Sequence, residues 1–105
     1  MEQPNINYIN ELSGNDEDFK QKMISIVKSE LPQEIESYNS LFKLQNFNAT
    51  AEMVHKLKHK ISVLGLEKSY YIAEKFEENL KQSSAELKEE FDNILQTMQN
   101  FVDHL

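Results

Sequence analysis

The sequence predicts an all-α fold, an antiparallel up-and-down four-helix bundle with an additional short N-terminal helix. Three observations carry that expectation. Only two glycines and two prolines interrupt 105 residues. Long stretches are rich in Glu, Lys, Leu, Gln and Ala, which lose little side-chain freedom in a helix. Apolar residues recur every three or four positions rather than alternately, the spacing that gives a helix one buried face. A chain of this length buries roughly two-thirds of its extended surface in one core, so residues 1–105 are read as a single domain.

Asn5 to Leu12 reads as the short helix, with Ile6, Ile9 and Leu12 on one side and Ser13-Gly14 closing it. Asn15 is the expected N-cap of a long second helix. Asp16, Glu17 and Asp18 then place negative charge in its first turn, where the unpaired N–H groups and the helix dipole favour it. Phe19, Met23, Val27, Leu31, Ile35, Tyr38 and Phe42 keep the helical spacing to about Gln45. Pro32 lies inside this run. Proline removes a backbone donor and clashes with the preceding turn, so a kink is expected between Lys28 and Pro32.

Asn46-Phe47-Asn48 breaks the pattern, and Asn48 is the expected cap of a third helix from about Ala49 to Leu64. Its buried stripe is Val54, Leu57, Ile61 and Leu64, and Gly65, free to take positive φ, is its stop. A fourth helix, about Glu67 to Lys81, shows Leu66, Tyr70, Ala73, Phe76 and Leu80 on one face. After Gln82-Ser83-Ser84 a fifth carries Leu87, Phe91, Ile94, Met98, Phe101 and Leu105, with Ser83 and Glu86 spaced as a capping box. The aromatic and methionine residues of these stripes are assigned to core packing rather than to a cofactor pocket. The acidic runs at 74–78 and 86–92 are read as solvent-facing helix surface.

Composition narrows function. Without cysteine, neither a disulfide framework nor a thiolate metal site is available. The chain opens on no apolar signal-like segment and holds no apolar run long enough to cross a bilayer, so the expected location is cytoplasmic, with no membrane partner. Eighteen acids face eleven lysines and no arginine, for a net charge of −7, which disfavours nucleic acid as a partner. Residues 49–64 run against this trend. Lys56, Lys58 and Lys60 oppose Glu52 alone there, a basic patch suited to an anionic ligand or an acidic protein surface.

The same stretch holds the candidate functional residues. His55, Lys58, His59 and Ser62 share a helical spacing on a side different from the apolar stripe, so His55 is expected to point at water. His55 and His59, at i and i+4, are half a metal site. No further ligand is evident and three lysines oppose a cation, so no metal is assigned. Lys56 and Lys60 fit a solvated face as well as a docking role, and His104 has no assigned role.

His55, Leu57, Lys58, Leu64 and Gly65 stand where the histidine-containing phosphotransfer (HPt) domains of multistep phosphorelays read His-x-Leu-Lys-Gly-x-x-x-x-Leu-Gly, and the chain resembles that family. The likeness extends to Tyr8 to Phe19, similar to the first helix and turn of such domains, and to Leu31-Pro32 in a kinked second helix. It implies phosphoryl transfer between a receiver-domain aspartyl phosphate and His55, with Lys58 offsetting charge on the phosphoryl oxygens. It implies response-regulator receiver domains and a hybrid histidine kinase as partners, with magnesium supplied by the receiver and no cofactor of the chain's own. On that reading the protein is a carrier and co-substrate, not an enzyme. A neutral imidazole, whose unperturbed pKa is about 6.5, is a competent nucleophile near pH 7. Val54, Lys56, His59 and Ser62 are the expected docking residues. His59 departs from the family's usual glycine and adds bulk to the docking face, which leaves a second reading open: an adaptor that docks a receiver or kinase without phosphotransfer. A bundle that buries all four stripes is expected to be a monomer.

Overall fold

Five helices form where the apolar spacing places them: α1 (Asn7–Ser13), α2 (Glu17–Lys43), α3 (Phe47–Val63), α4 (Glu67–Lys81) and α5 (Lys88–Val102). The computed structural model describes residues 2–105, so Met1 lies outside the described residues, among which there is no strand. α3 packs against α2 and most extensively against α4, α5 closes the set against α4 and α2, and α1 lies on α2. The centre is an aromatic cluster. Tyr38 meets Phe91 edge to face at 5.2 Å between ring centres, Phe76 lies 5.1 Å from Phe91, and all three rings are out of water. Tyr38 keeps its hydroxyl satisfied by donating to Asp92 at 2.7 Å. The whole α3 stripe, Val54, Leu57, Ile61 and Leu64, is excluded from solvent, so the opposite side of α3 must face outward.

Several helix boundaries differ from the sequence reading, each because a hydrogen-bonding group competes locally. The cap of α2 is Asp16 rather than Asn15, its carboxylate accepting the Phe19 N–H at 3.0 Å. The cap of α3 is Asn46 rather than Asn48, accepting from the Ala49 N–H at 3.2 Å. That earlier start puts Phe47 in the first turn, where its ring stacks on Phe42 at 5.6 Å and pins the connection. α2 runs through Pro32 without interruption; the carbonyl that proline leaves without its helical donor is that of Lys28, and both residues are exposed. Leu12 and Phe19 are 52 % and 43 % exposed rather than core, while Ser13 and Ile24 take inward positions there and Val27 is buried as expected. The Ser83–Glu86 capping box does not form. Ser83 adopts φ +60° as part of the α4 stop, and α5 begins only after Leu87.

Three helices end in one geometry. At the end of α3 the Gly65 N–H bonds the Ser62 carbonyl at 3.0 Å and the Leu66 N–H bonds that of Ile61 at 3.1 Å, a Schellman motif with its apolar pair, Ile61 and Leu66, buried. α2 repeats it at Gln45 and Asn46, and α4 at Ser83 and Ser84. Only α3 places glycine at the left-handed position, and there space is short as well. A Cβ on Gly65 would come within 2.7 Å of the Asn5 side chain, because the Asn5 N–H is held by the Leu64 carbonyl at 2.8 Å. The chain start also caps α4, whose own cap residue Leu66 offers no side-chain acceptor. Glu2 accepts the N–H groups of Lys68 and Ser69, each at 2.9 Å, and the Ser69 hydroxyl at 3.1 Å.

Gly65→Ala is expected to lower unfolding free energy by about 1 kcal/mol or more, from left-handed strain together with crowding of Asn5. Ser83→Gly relieves the same strain at the end of α4 and is expected to raise it by about 0.5 kcal/mol. Urea midpoints at constant slope measure both.

Candidate functional site

With Val54, Leu57 and Ile61 turned inward, α3 presents His55, Lys56, His59 and Ser62 to solvent. The His55 side chain is 56 % exposed. His59, one turn on, stands edge-to-face with it at 5.6 Å between ring centres and leaves it open to solvent. Ser62, a further turn along, borders an open cleft of about 660 Å³ between α1 and the α3–α4 connection, flanked by the exposed rings of Tyr8 and Tyr71.

Two expected site residues lie elsewhere. Val54 is wholly buried in the α3 stripe and offers no docking surface. Lys58 is not on the exposed face either. It follows Leu57 at the edge facing α4, its side chain is 8 % exposed, and its ammonium lies 2.9 Å from Glu77 Oε1 and 5.4 Å from the centre of the Tyr70 ring. The aliphatic stem is what allows this, since it can bury against the helix interface while the charge finds a carboxylate.

Glu77 organises the site and was misassigned to the solvent-facing acidic run. Its side chain is 9 % exposed, and besides Lys58 it meets His55 Nδ1 at 3.3 Å and Lys81 Nζ at 3.3 Å. The signal was present in the spacing: Glu77 is four residues after Ala73 and three before Leu80, on the edge of the buried stripe of α4. A carboxylate can only accept, so the ring nitrogen facing it carries the proton. In the neutral His55 ring the lone pair then sits on Nε2.

The charges at this site are held ionised. Burial pushes the Glu77 carboxyl up, but hydrogen bonds from Lys58 and Lys81, the Lys58 charge and the His55 contact outweigh it, and the group lies below the usual glutamate range. For Lys58, burial pulls the ammonium down, and the hydrogen bond and charge of Glu77 reverse this and carry it above the usual lysine range. Lys60 behaves alike on the other flank, held 2.9 Å from Glu30 and 3.1 Å from Glu34 of α2. The basic patch read from the sequence is thus largely neutralised inside the domain. Lys56 alone of the three has no ion pair among the described residues.

No three of histidine, cysteine, aspartate and glutamate are grouped to hold a metal ion among the described residues. No helix among them is long and apolar enough to cross a membrane. The family model described as Hpt domain matches residues 22–101, from within α2 to the penultimate residue of α5. No curated protein and no solved structure matches the chain.

Breaking one side of a buried ion pair costs more than replacing both partners. Lys58→Met is expected to destabilise by about 2 kcal/mol, less than for an isolated buried pair because Lys81 still reaches Glu77. The Lys58→Met, Glu77→Leu double variant is expected to recover most of that loss in urea unfolding. A depressed Glu77 contributes stability above the unfolded carboxylate pKa, and that contribution is lost as pH falls through the folded value. A raised Lys58 contributes stability below the unfolded lysine pKa, lost as pH rises through its folded value. The difference in stability between wild type and the double variant is therefore expected to be flat through neutral pH and to narrow in acid.

Proposed function

This chain belongs to the Hpt domain family, and from that premise we propose that His55 is the phosphoacceptor of a phosphorelay intermediate. Family membership places the chain in phosphotransfer within two-component signalling, as a phosphocarrier rather than a classical enzyme. The single observation that supports His55 is its geometry: a ring more than half exposed, with Nδ1 held against a buried carboxylate at 3.3 Å, so that Nε2 is the nitrogen Glu77 does not engage.

The chemistry follows from that arrangement. The Nε2 lone pair of neutral His55 attacks phosphorus of a receiver aspartyl phosphate; the N–P bond forms as the aspartyl O–P bond breaks, and the receiver regains its carboxylate. No proton need leave the ring. The phosphorylated imidazole carries positive charge with Nδ1 still protonated, and the Glu77 carboxylate lies where it stabilises that charge. Transfer to a second receiver is the reverse sequence with a different aspartate. Magnesium belongs to the receiver. Lys58 acts at one remove: its ammonium holds Glu77 ionised and in place, and the direct charge offset expected of it on phosphoryl oxygens would require breaking a 2.9 Å contact.

For docking we assign the outward residues Lys56, His59 and Ser62, extended by the cleft with Tyr8 and Tyr71. The paired crossings, Phe42 with Phe47, Lys60 with Glu30 and Glu34, Lys58 with Glu77, and Phe91 with both Tyr38 and Phe76, support an antiparallel up-and-down order of α2 to α5, which gathers these residues at one side of the bundle. We place the protein in the cytoplasm as a monomer that meets receiver domains and a hybrid histidine kinase in turn.

Incubation with a phosphorylated receiver and magnesium is expected to give an acid-labile, base-stable label on wild type and none on His55→Gln. Label persisting in His55→Gln, or absent from wild type, removes the assignment. Glu77→Gln is expected to slow transfer by roughly ten- to a hundredfold, because the ring loses both its orientation and the countercharge. Circular dichroism of each variant checks that the bundle is intact.

A further inference from the structure

We propose that His55 and His59 together form a binding site for a divalent transition cation of the zinc class, occupied in competition with the phosphoryl group. The cation site rests on the geometry of the two rings. The competition rests in addition on the phosphoacceptor reading of His55.

Three features of the structure support the site. The first is spacing. With Zn–N bonds of about 2.0 Å and each ring centre about 1.1 Å behind its nitrogen, two imidazoles on one tetrahedral zinc have centres about 5.1 Å apart. The rings of His55 and His59 are 5.6 Å apart on exposed side chains, close enough for small torsional adjustments to close the difference. The second is orientation. A histidine that binds metal almost always gives its other ring N–H to a carboxylate or carbonyl, which fixes the tautomer and raises the basicity of the ligating nitrogen. His55 already has that partner in Glu77, which engages Nδ1, so Nε2 is the nitrogen left to ligate. The third is charge. The lysines that argue against a cation in the sequence are mostly cancelled: Lys58 is bound to Glu77, and Lys60 to Glu30 and Glu34.

Two protein ligands leave the remaining positions to water or to a docked partner. Imidazole nitrogen suits zinc, copper and nickel and suits magnesium poorly, so the site discriminates against the cation that a receiver uses. The lone pair that would bind zinc is the one that would attack phosphorus. Each occupant therefore excludes the other, and linkage makes the exclusion reciprocal.

The test titrates the full chain with zinc chloride alone, following the ring nitrogens by two-dimensional proton–nitrogen spectra. Joint shifts of His55 and His59 at Nε2, with His104 unmoved, are expected. Both His55→Gln and His59→Gln should reduce affinity to that of a lone exposed histidine, and Glu77→Gln should weaken it about tenfold. Zinc that binds equally well to His59→Gln, or that shifts neither ring, overturns the site. In a second arm, zinc at saturating level should slow label uptake from a phosphorylated receiver in wild type and leave His59→Gln unaffected, with chelator restoring the rate. Undiminished uptake at saturation overturns the competition. If wild type takes no label at all, the phosphoacceptor reading fails and takes the competition with it, while the cation site stands or falls on the titration.

Discussion

A carboxylate taken nine-tenths out of water needs compensating charge and donors, and that requirement makes Glu77 the point on which this structure turns. Burial alone favours its neutral form. It stays ionised because Lys58, Lys81 and His55 converge on it from two helices. The same contacts do three things at once: they fasten α3 to α4, bury a lysine that would otherwise stand on the surface, and orient one exposed imidazole. An apolar residue at position 77 could close the α3–α4 interface equally well, but it would leave the His55 ring free to rotate and either nitrogen free to carry the proton. The polar junction is therefore explained by what it does to His55 more than by what it adds to stability.

That junction sits within a frame set by the ends of the helices. The α3–α4 connection is held from both sides by the chain start, with Asn5 on the Leu64 carbonyl and Glu2 on the first N–H groups of α4. Glu2 does this as an ionised group. Burial works against it, the N–H bonds of Lys68 and Ser69 outweigh burial, and the carboxyl lies below its ordinary range. α1 and the residues before it thus act as a strap over the turn that sets the register of α3 against α4, and with it the distance from His55 to Glu77.

The helical content and the middle of each buried stripe were legible because they depend on a period, and a period survives small errors of boundary, whereas Leu12, Phe19 and Leu105 at the stripe ends stand exposed. The fourth helix was read at about the bounds it takes, Glu67–Lys81. Boundaries elsewhere slipped where two capping residues stood close together, as at Asn15 and Asp16 or Asn46 and Asn48, since the choice between them depends on tertiary packing such as Phe47 on Phe42. The exposure of His55 was legible for the same periodic reason. What the pattern could not express was the destination of a long charged side chain. Lys58 lies one residue from the buried stripe, and a four-carbon stem can carry its charge either to water or across to the next helix. Glu77 decides which, and nothing local to residues 55–65 reveals Glu77. Val54 was read as both core and docking residue; the core has it entirely.

Neutralising the lysines within the domain changes how a partner is found. The body carries −7, and with Lys58 and Lys60 committed internally, little free positive charge remains on the face around His55. An acidic receiver pocket therefore meets no strong long-range attraction, and steering, which depends on net potential and falls off within about 8 Å at physiological salt, contributes little to encounter. On the docking surface proposed above, recognition then falls to short-range contact: the His55 and His59 rings, Ser62, and the open cleft beside Tyr8 and Tyr71. On the proposed relay reading, in which the chain binds one partner, releases it and binds another, such a face is suitable. The strong electrostatic interactions are kept inside, where they hold the His55 ring in one orientation.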